Sequence, residues 1–367
     1  MRKSKLFKIL TGILLLSMIL AACSSNSSGT SNSGSKNNSS ASGNNSGSKQ
    51  MEVVFIPKLT GNSFFESGND GAQEMAKAEG FKVTYDGTPE VAVSNQVNII
   101  NNAITRGVDA IAISSVSVDG LNQVLQKARD AGIKIVTWDS DVDPRYRSIY
   151  VNQGTPDILG EMLVEMAVSA LDDPNRPIKF AWFYSSPTVP DQNAWVNAAN
   201  EYIKEKYPSW ELVTTEFGES DAQLSLQIGE SILDTYPDID VIICPDSTAL
   251  PAMAQAMKNK GKNKNDVVVT GFATPNSMRD FLKDDTIPNH GLWDVKVQGA
   301  LAVYIAKYLA EGNELKVGDK VNVPGIGEVE VQPNSIQGYD YEAEDSGIIV
   351  LPERVVFTKE NTDNYNF

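Results

Sequence analysis

The sequence predicts an α/β fold of two doubly wound lobes, and three observations carry that prediction. From Met51 onward, short apolar runs rich in β-branched residues alternate with segments of helical period. The alternation occurs in two series of similar length, the pattern of two βα runs that each build a mostly parallel sheet. Polar residues also gather directly after many of the predicted strands, the edge at which open α/β sheets bind ligands.

In the first series the periodicity predicts strands at 53–57, 82–85, 110–114, 134–138 and 148–151, with helices over 64–79, 93–106 and 118–131. The second series predicts strands at 179–184, 210–216, 241–244, 267–272 and 291–293, with helices over 156–171, 192–207, 222–235 and 249–258. Plausible caps mark the boundaries, including Ala131-Gly132 after one helix and Ser220-Asp221 before another. Residues 295–311 read as one amphipathic helix, residues 318–331 as a hairpin-like excursion with Gly-Asp and Pro-Gly turns, and residues 347–350 as a last apolar run.

The folded region is preceded by an export signal. Positive residues at Arg2, Lys3, Lys5 and Lys8 lead into an apolar run over 9–20 that is too short for the ~20 residues of a spanning helix, and small residues follow. The ending Leu20-Ala21-Ala22-Cys23 resembles a bacterial lipobox, which implies a signal peptide over 1–22 and a lipidated Cys23 at the mature N-terminus. Residues 23–50 are dominated by Ser, Asn and Gly and cannot bury enough apolar surface to offset their chain entropy. They predict a tether with a root-mean-square reach of about 25–30 Å, which implies a partner fixed in the membrane. Loss of the four positive charges of the signal moves the formal net charge from −16 to −20. Such an acidic body argues against nucleic acid and polyanionic ligands and favours a neutral or cationic small molecule. With one of the two cysteines lipidated, Cys244 has no intrachain disulfide partner.

The residues at the predicted strand ends describe a site. Lys58 follows the first strand and precedes Asn62-Ser63-Phe64-Phe65 at a helix start; Trp138-Asp139-Ser140-Asp141 follows the fourth. In the second series come Ser185 to Asn193, containing Asp191 and Gln192, then Pro245-Asp246-Ser247, then Trp293-Asp294 with Gln298 one turn later. Carboxylates and amides exchange several hydrogen bonds with hydroxyls, and aromatic faces cover the C–H side of a ring, so the set suits a polyol. Phe64, Phe65, Trp138, Trp293, Asp294 and Gln298 are candidates for lining the cleft. Against each single residue stands a plainer role as helix cap, loop residue or core.

Enzymatic readings are poorly supported. His290 is the only histidine, no Gly-x-Ser-x-Gly elbow precedes a helix, and neither His290 nor Cys244 has a partner at metal-ligand spacing. His290 is expected to be structural, and neither a metal nor another cofactor is expected. Asp139 and Asp141 could be imagined as glycosidase carboxylates, but two positions so close in sequence do not establish opposite sides of a bond.

Longer strings carry a resemblance over residues 51–367: Phe55-Ile56-Pro57-Lys58-Leu59, Val136-Thr137-Trp138-Asp139-Ser140-Asp141, Asn152-Gln153-Gly154-Thr155-Pro156, Phe183-Tyr184-Ser185-Ser186-Pro187-Thr188-Val189, Gly291-Leu292-Trp293-Asp294-Val295, Gln337-Gly338-Tyr339-Asp340-Tyr341-Glu342-Ala343 and Leu351-Pro352-Glu353-Arg354-Val355. They resemble the type I periplasmic binding proteins and, more narrowly, the LsrB-type autoinducer-2 receptors. The resemblance implies two Rossmann-like lobes joined by three hinge crossings, near 151–153, 293–295 and 337–345. It implies an N-terminal lobe of 51–151 plus 295–340 and a C-terminal lobe of 152–294 plus 341–367. The implied ligand is autoinducer-2 as its borate-free tetrahydroxy methyl-tetrahydrofuran. Carried over by position, Lys58, Asp139, Asp191 and Gln192 would contact it through side chains, and Pro245 and Ser247 through main-chain groups. Ser247 departs from the family, which carries alanine there. The implied partners are an ABC permease and ATPase, and the implied location is the outer face of the cell membrane, with a monomer the simplest assembly. A pentose or deoxyhexose receptor, or a co-receptor that presents its ligand to a membrane sensor, are the alternative readings.

Overall fold

A computed structural model describes residues 50–367; the predicted signal, Cys23 and the tether up to residue 49 lie outside the described residues. The chain first forms β1 (Glu52–Ile56), α1 (Ser63–Glu79), β2 (Lys82–Tyr85), α2 (Val93–Arg106), β3 (Ala110–Ile113), α3 (Asn122–Asp130), β4 (Lys134–Trp138) and β5 (Ile149–Asn152). A second run follows with α4 (Pro156–Val168), β6 (Ile178–Tyr184), α5 (Pro190–Lys206), β7 (Trp210–Phe217), α6 (Ala222–Thr235), β8 (Val241–Cys244), α7 (Ala249–Asn259), β9 (Val268–Gly271), α8 (Pro275–Lys283) and β10 (His290–Leu292). The remainder contains α9 (Val295–Ala310), the hairpin β11 (Lys320–Val323) and β12 (Gly327–Glu330), then β13 (Gly347–Val350) and β14 (Val355–Phe357).

The strands form two parallel sheets, ordered β13-β5-β4-β3-β1-β2 and β7-β6-β8-β9. Strand period places successive residues of β1 on opposite faces: Val53 and Phe55 join a core that also holds Phe64, Trp138 and Leu301, whereas Val54 and Ile56 join one with Ile100 and Leu125. Both faces of the first sheet are therefore dry, which explains the unbroken apolar run. On one face α1 and α9 pack together so closely that a Cβ on Gly299 would lie 1.9 Å from the Gly68 carbonyl oxygen. Glycine is required there by the approach of one backbone to another.

Three elements differ from the sequence prediction. The helix predicted from 118 begins at Asn122, because residues 115–120 form a turn closed by the Ser115 and Ser117 hydroxyls. The periodicity predicts neither α8 nor β14; each is short, and a three-residue strand carries too little periodicity to be recognised. The boundary expected at 341 is also displaced: β13 pairs in parallel with β5 and belongs to the first sheet, while β14 pairs with β10 beside the second. The third crossing therefore runs over residues 351–354, not 337–345. Arg354 Nη1 binds the Gln153 carbonyl at 2.6 Å, tying this crossing to the first.

His290 belongs to the core, with its ring 4.9 Å from that of Phe357. Burial pushes it from its ordinary 6.5 down to about 3, against a smaller opposing pull from the backbone of Gly291 and Ala273. A depressed folded-state value means that the stabilising contribution is complete above the ordinary value and is lost as pH falls toward 3. The predicted loss between pH 7 and pH 4 is about 3 kcal/mol. Urea unfolding of wild type and His290→Leu at both pH values should show this acid-dependent difference; parallel pH profiles would contradict it.

Candidate functional site

The segments that follow β1 and β4 in the first sheet and β6 and β8 in the second lead into one cavity, and their polar residues line it. Lys58 comes from the turn after β1 and Asp139 from the residue after β4; Asp191 and Gln192 occupy the first turn of α5, opened by Pro190. Residues 245–248 connect β8 to α7. Together they line one cavity between the lobes.

Lys58 Nζ lies 3.1 Å from Asp139 Oδ2 within the first lobe and 3.1 and 3.0 Å from the two Asp191 oxygens of the second. Ser114 Oγ donates to Asp139 at 2.6 Å, and Ser140 Oγ donates across the lobes to Asp191 at 2.6 Å. Lys58 is 8 % exposed, Asp191 4 % and Asp139 3 %, so these charges are compensated by one another and not by bulk water. Burial pushes the Asp139 carboxyl up to about 6, opposed by Lys58 and reinforced by the like charge of Asp191. Burial alone would lower Lys58, but the two carboxylates outweigh it and hold the ammonium above its ordinary range.

Asp139 is set in the left-handed region, with φ 59°, a conformation costing a non-glycine residue roughly 1–3 kcal/mol that persists where the surroundings over-determine it. The surroundings are visible: its carbonyl accepts from Tyr150 Oη at 2.6 Å and Gln153 Nε2 at 2.9 Å. Gln192 is equally constrained. Its Oε1 accepts from the Ser185 amide at 3.1 Å and its Nε2 donates to Asp246 Oδ2 at 3.0 Å. Asp246 is itself buried, which raises its carboxyl, while the amides of Ala249 and Thr248 and the Gln192 side chain oppose that shift.

The other wall is aromatic. Phe64 meets Trp293 edge-on at 5.8 Å, and Trp195, Phe272 and Trp293 form mutual edge contacts at 5.6–5.9 Å. One side of the cavity thus offers ionised and amide groups for hydroxyls, and the other offers ring surface for carbon.

Of the residues singled out from sequence, Lys58, Asp139, Asp191, Gln192, Pro245 and Ser247 all line this cavity, as do Phe64, Phe65 and Trp293. Three candidates do not. Trp138 is core, stacked on Phe55 at 4.5 Å, because it still points in the strand's inward phase while Asp139 begins the turn. Asp294 is an exposed N-cap of α9, accepting from the Val297 amide at 3.1 Å. Gln298 lies in the hinge, accepting from Trp293 Nε1 at 2.7 Å and donating to the Val151 carbonyl at 3.1 Å and Gln153 Oε1 at 2.9 Å.

Asp141 likewise parts from Asp139 and pairs with buried Arg147 at 2.8 Å, so the two acids do not face a common substrate. Trp195, Thr248 and Leu292 also line the cavity, although none belongs to the polar strand-end set that the sequence offers. Trp195 had a usable signal, since it lies one helical turn after Asp191 and therefore shares its face. Among the described residues, no group of three or more His, Cys, Asp or Glu side chains could hold a metal ion, and no helix is long and apolar enough to cross a membrane.

Comparison with known proteins gives consistent relatives. The family model for the periplasmic binding protein domain matches residues 53–314. The structure of LsrB from Clostridium saccharobutylicum in complex with AI-2 is 48 % identical, with a TM-score of 0.85 and coverage of 86 % of this chain and 100 % of that one. An ABC transporter solute-binding protein from Clostridium phytofermentas with bound L-rhamnose is 25 % identical, with a TM-score of 0.79 and coverage of 86 % and 98 %. Among curated proteins, a D-apiose import binding protein from Paraburkholderia graminis is 25 % identical over 71 % of this chain and 82 % of its own length.

Proposed function

The chain belongs to the family of periplasmic binding protein domains, and from that premise we propose that it is the autoinducer-2 receptor of an ABC importer serving quorum-signal uptake. The observation that carries this reading is the convergence of Lys58 and Asp139 from one lobe with Asp191 and Gln192 from the other on a single cavity with an aromatic wall. One ammonium facing three carboxylates, including Asp246, disfavours an anion and suits a neutral ring with several hydroxyls. The similarity to a relative solved with AI-2 supports that ligand over sugars in general.

In this reading the ligand bridges the two pairs of side chains, and closure draws its free energy from contacts made only when the lobes meet. Pro245 and Ser247 would add main-chain contacts. The receptor would be exported, anchored through lipidated Cys23 to the outer face of the cell membrane, and would deliver its ligand as a monomer to the permease and its ATPase.

A second reading is a pentose or deoxyhexose receptor, favoured by the L-rhamnose complex and the D-apiose import protein among the relatives. Expression in cells that make autoinducer-2 and in cells that do not, followed by denaturation and assay of released small molecules, separates the two. Signal activity released only from protein made in the producing strain is expected. Release of a pentose or deoxyhexose, or absence of signal activity, would overturn the autoinducer-2 reading.

A further inference from the structure

Three neutral residues at the half-buried rim of the cavity touch across the lobes. Asn62 is the N-cap of α1, and its Oδ1 accepts from the Phe64 amide at 2.9 Å. This bond determines which end of the side-chain amide is oxygen. The NH2 group is thereby aimed at the second lobe, where it donates to Thr248 Oγ1 at 3.0 Å. Ser247 Oγ donates back to Asn62 Oδ1 at 3.3 Å.

The opposing lobe is arranged so that Thr248 can serve this contact. Thr248 stands at the N-cap position of α7, yet its hydroxyl makes no cap bond to its own helix. Asp246 takes that role, its Oδ1 accepting from the amides of Thr248 at 3.1 Å and Ala249 at 2.7 Å. The Thr248 hydroxyl is left for the other lobe. One residue after Asn62, Ser63 Oγ lies 3.1 Å from Thr274 Oγ1, a second uncharged contact between the start of α1 and the loop before α8.

We propose that Asn62, Ser247 and Thr248 form a latch that favours closure independently of the ligand. Its hydrogen bonds run between side chains of the protein and require no ligand atom. The Lys58 and Asp191 groups, by contrast, are the buried charged centre of the proposed ligand site and must share their hydrogen-bonding capacity with the ligand. A latch of this kind raises the closed fraction before binding, and apparent affinity scales with that fraction. It also gives the Ser247 hydroxyl a role separate from any main-chain contact to the ligand.

The test measures the interlobe distance distribution of the ligand-free full-length protein, using a pair of labels at exposed positions, one on each lobe. The comparison is between wild type, Thr248→Val and the double variant Ser247→Ala with Thr248→Val. Valine keeps the branched shape, and Asp246 still caps α7, so thermal unfolding should be unchanged. The closed-to-open ratio is expected to fall about tenfold in the double variant and by less in Thr248→Val alone. A ligand-free wild type with no closed population, or a double variant whose closed population equals that of wild type, would overturn the latch. Because no ligand enters the measurement, its outcome is independent of whether autoinducer-2 or another sugar is the cargo.

Discussion

Replacing Asp191 by alanine should weaken ligand binding by roughly 30-fold to several-thousandfold while leaving the unfolding transition of the ligand-free protein nearly unchanged. Asp191 is the residue of the second lobe on which the first lobe converges: both of its oxygens accept from Lys58, and one also accepts from Ser140. Its removal leaves the Lys58 ammonium with Asp139 alone in the closed state, and truncating one partner of a buried, hydrogen-bonded charge pair typically costs about 2–5 kcal/mol. The penalty falls on closure and not on the folding of either lobe, because the partners reside on different lobes. Calorimetric titration with autoinducer-2, alongside thermal unfolding with and without it, checks both halves. Wild-type affinity in Asp191→Ala would remove the centre of the proposed site. Asp191→Asn serves as the milder comparison, since it keeps one oxygen acceptor but loses the charge that Lys58 requires.

Arg147→Ala should be the most damaging substitution for stability, by about 3–5 kcal/mol. The Arg147 side chain is 0 % exposed. It donates to Asp141 at 2.8–3.2 Å, to Asn334 Oδ1 at 2.8 Å, to Ser346 Oγ at 3.1 Å and to the Gly347 carbonyl at 2.9 Å. Alanine would leave the Asp141 carboxylate buried without its cation and would release residues 334–347 from the edge of the first sheet. Urea unfolding at pH 7 measures the loss. A double variant, Arg147→Met with Asp141→Leu, should regain much of it, because an apolar pair requires no compensation while an orphaned carboxylate does. A loss below about 1 kcal/mol in the single variant, the scale of an exposed pair, would show that the network is not buried as described.

How much could be read in the chain differs between fold and site for a physical reason. A strand buried on both faces must be apolar throughout, and a helix covering it must carry an apolar stripe. Residues such as Val53–Ile56 and Val241–Cys244 therefore announce their elements locally. The same logic locates the site at strand ends, where Lys58, Asp139 and Pro245 interrupt the apolar runs. β13 shows where local information stops. Its four residues would suit either sheet, and its place beside β5 depends on the Arg147 network that holds the preceding segment.

Alternation of βα units, the acidic balance and the list of polar strand-end residues follow from composition and period alone. Which of those residues face one another does not, because one residue of rotation at the end of a strand exchanges core for cleft. Trp138 and Asp139 are adjacent, yet one stacks in the core on Phe55 and the other turns at positive φ to meet Lys58. Asp141 and Gln298 look like site residues by position, but tertiary packing gives one to Arg147 and the other to the hinge. The pairing of Asn62 with Ser247 and Thr248 joins residues more than 180 positions apart; only the packing of one lobe against the other brings their hydrogen-bonding groups into reach.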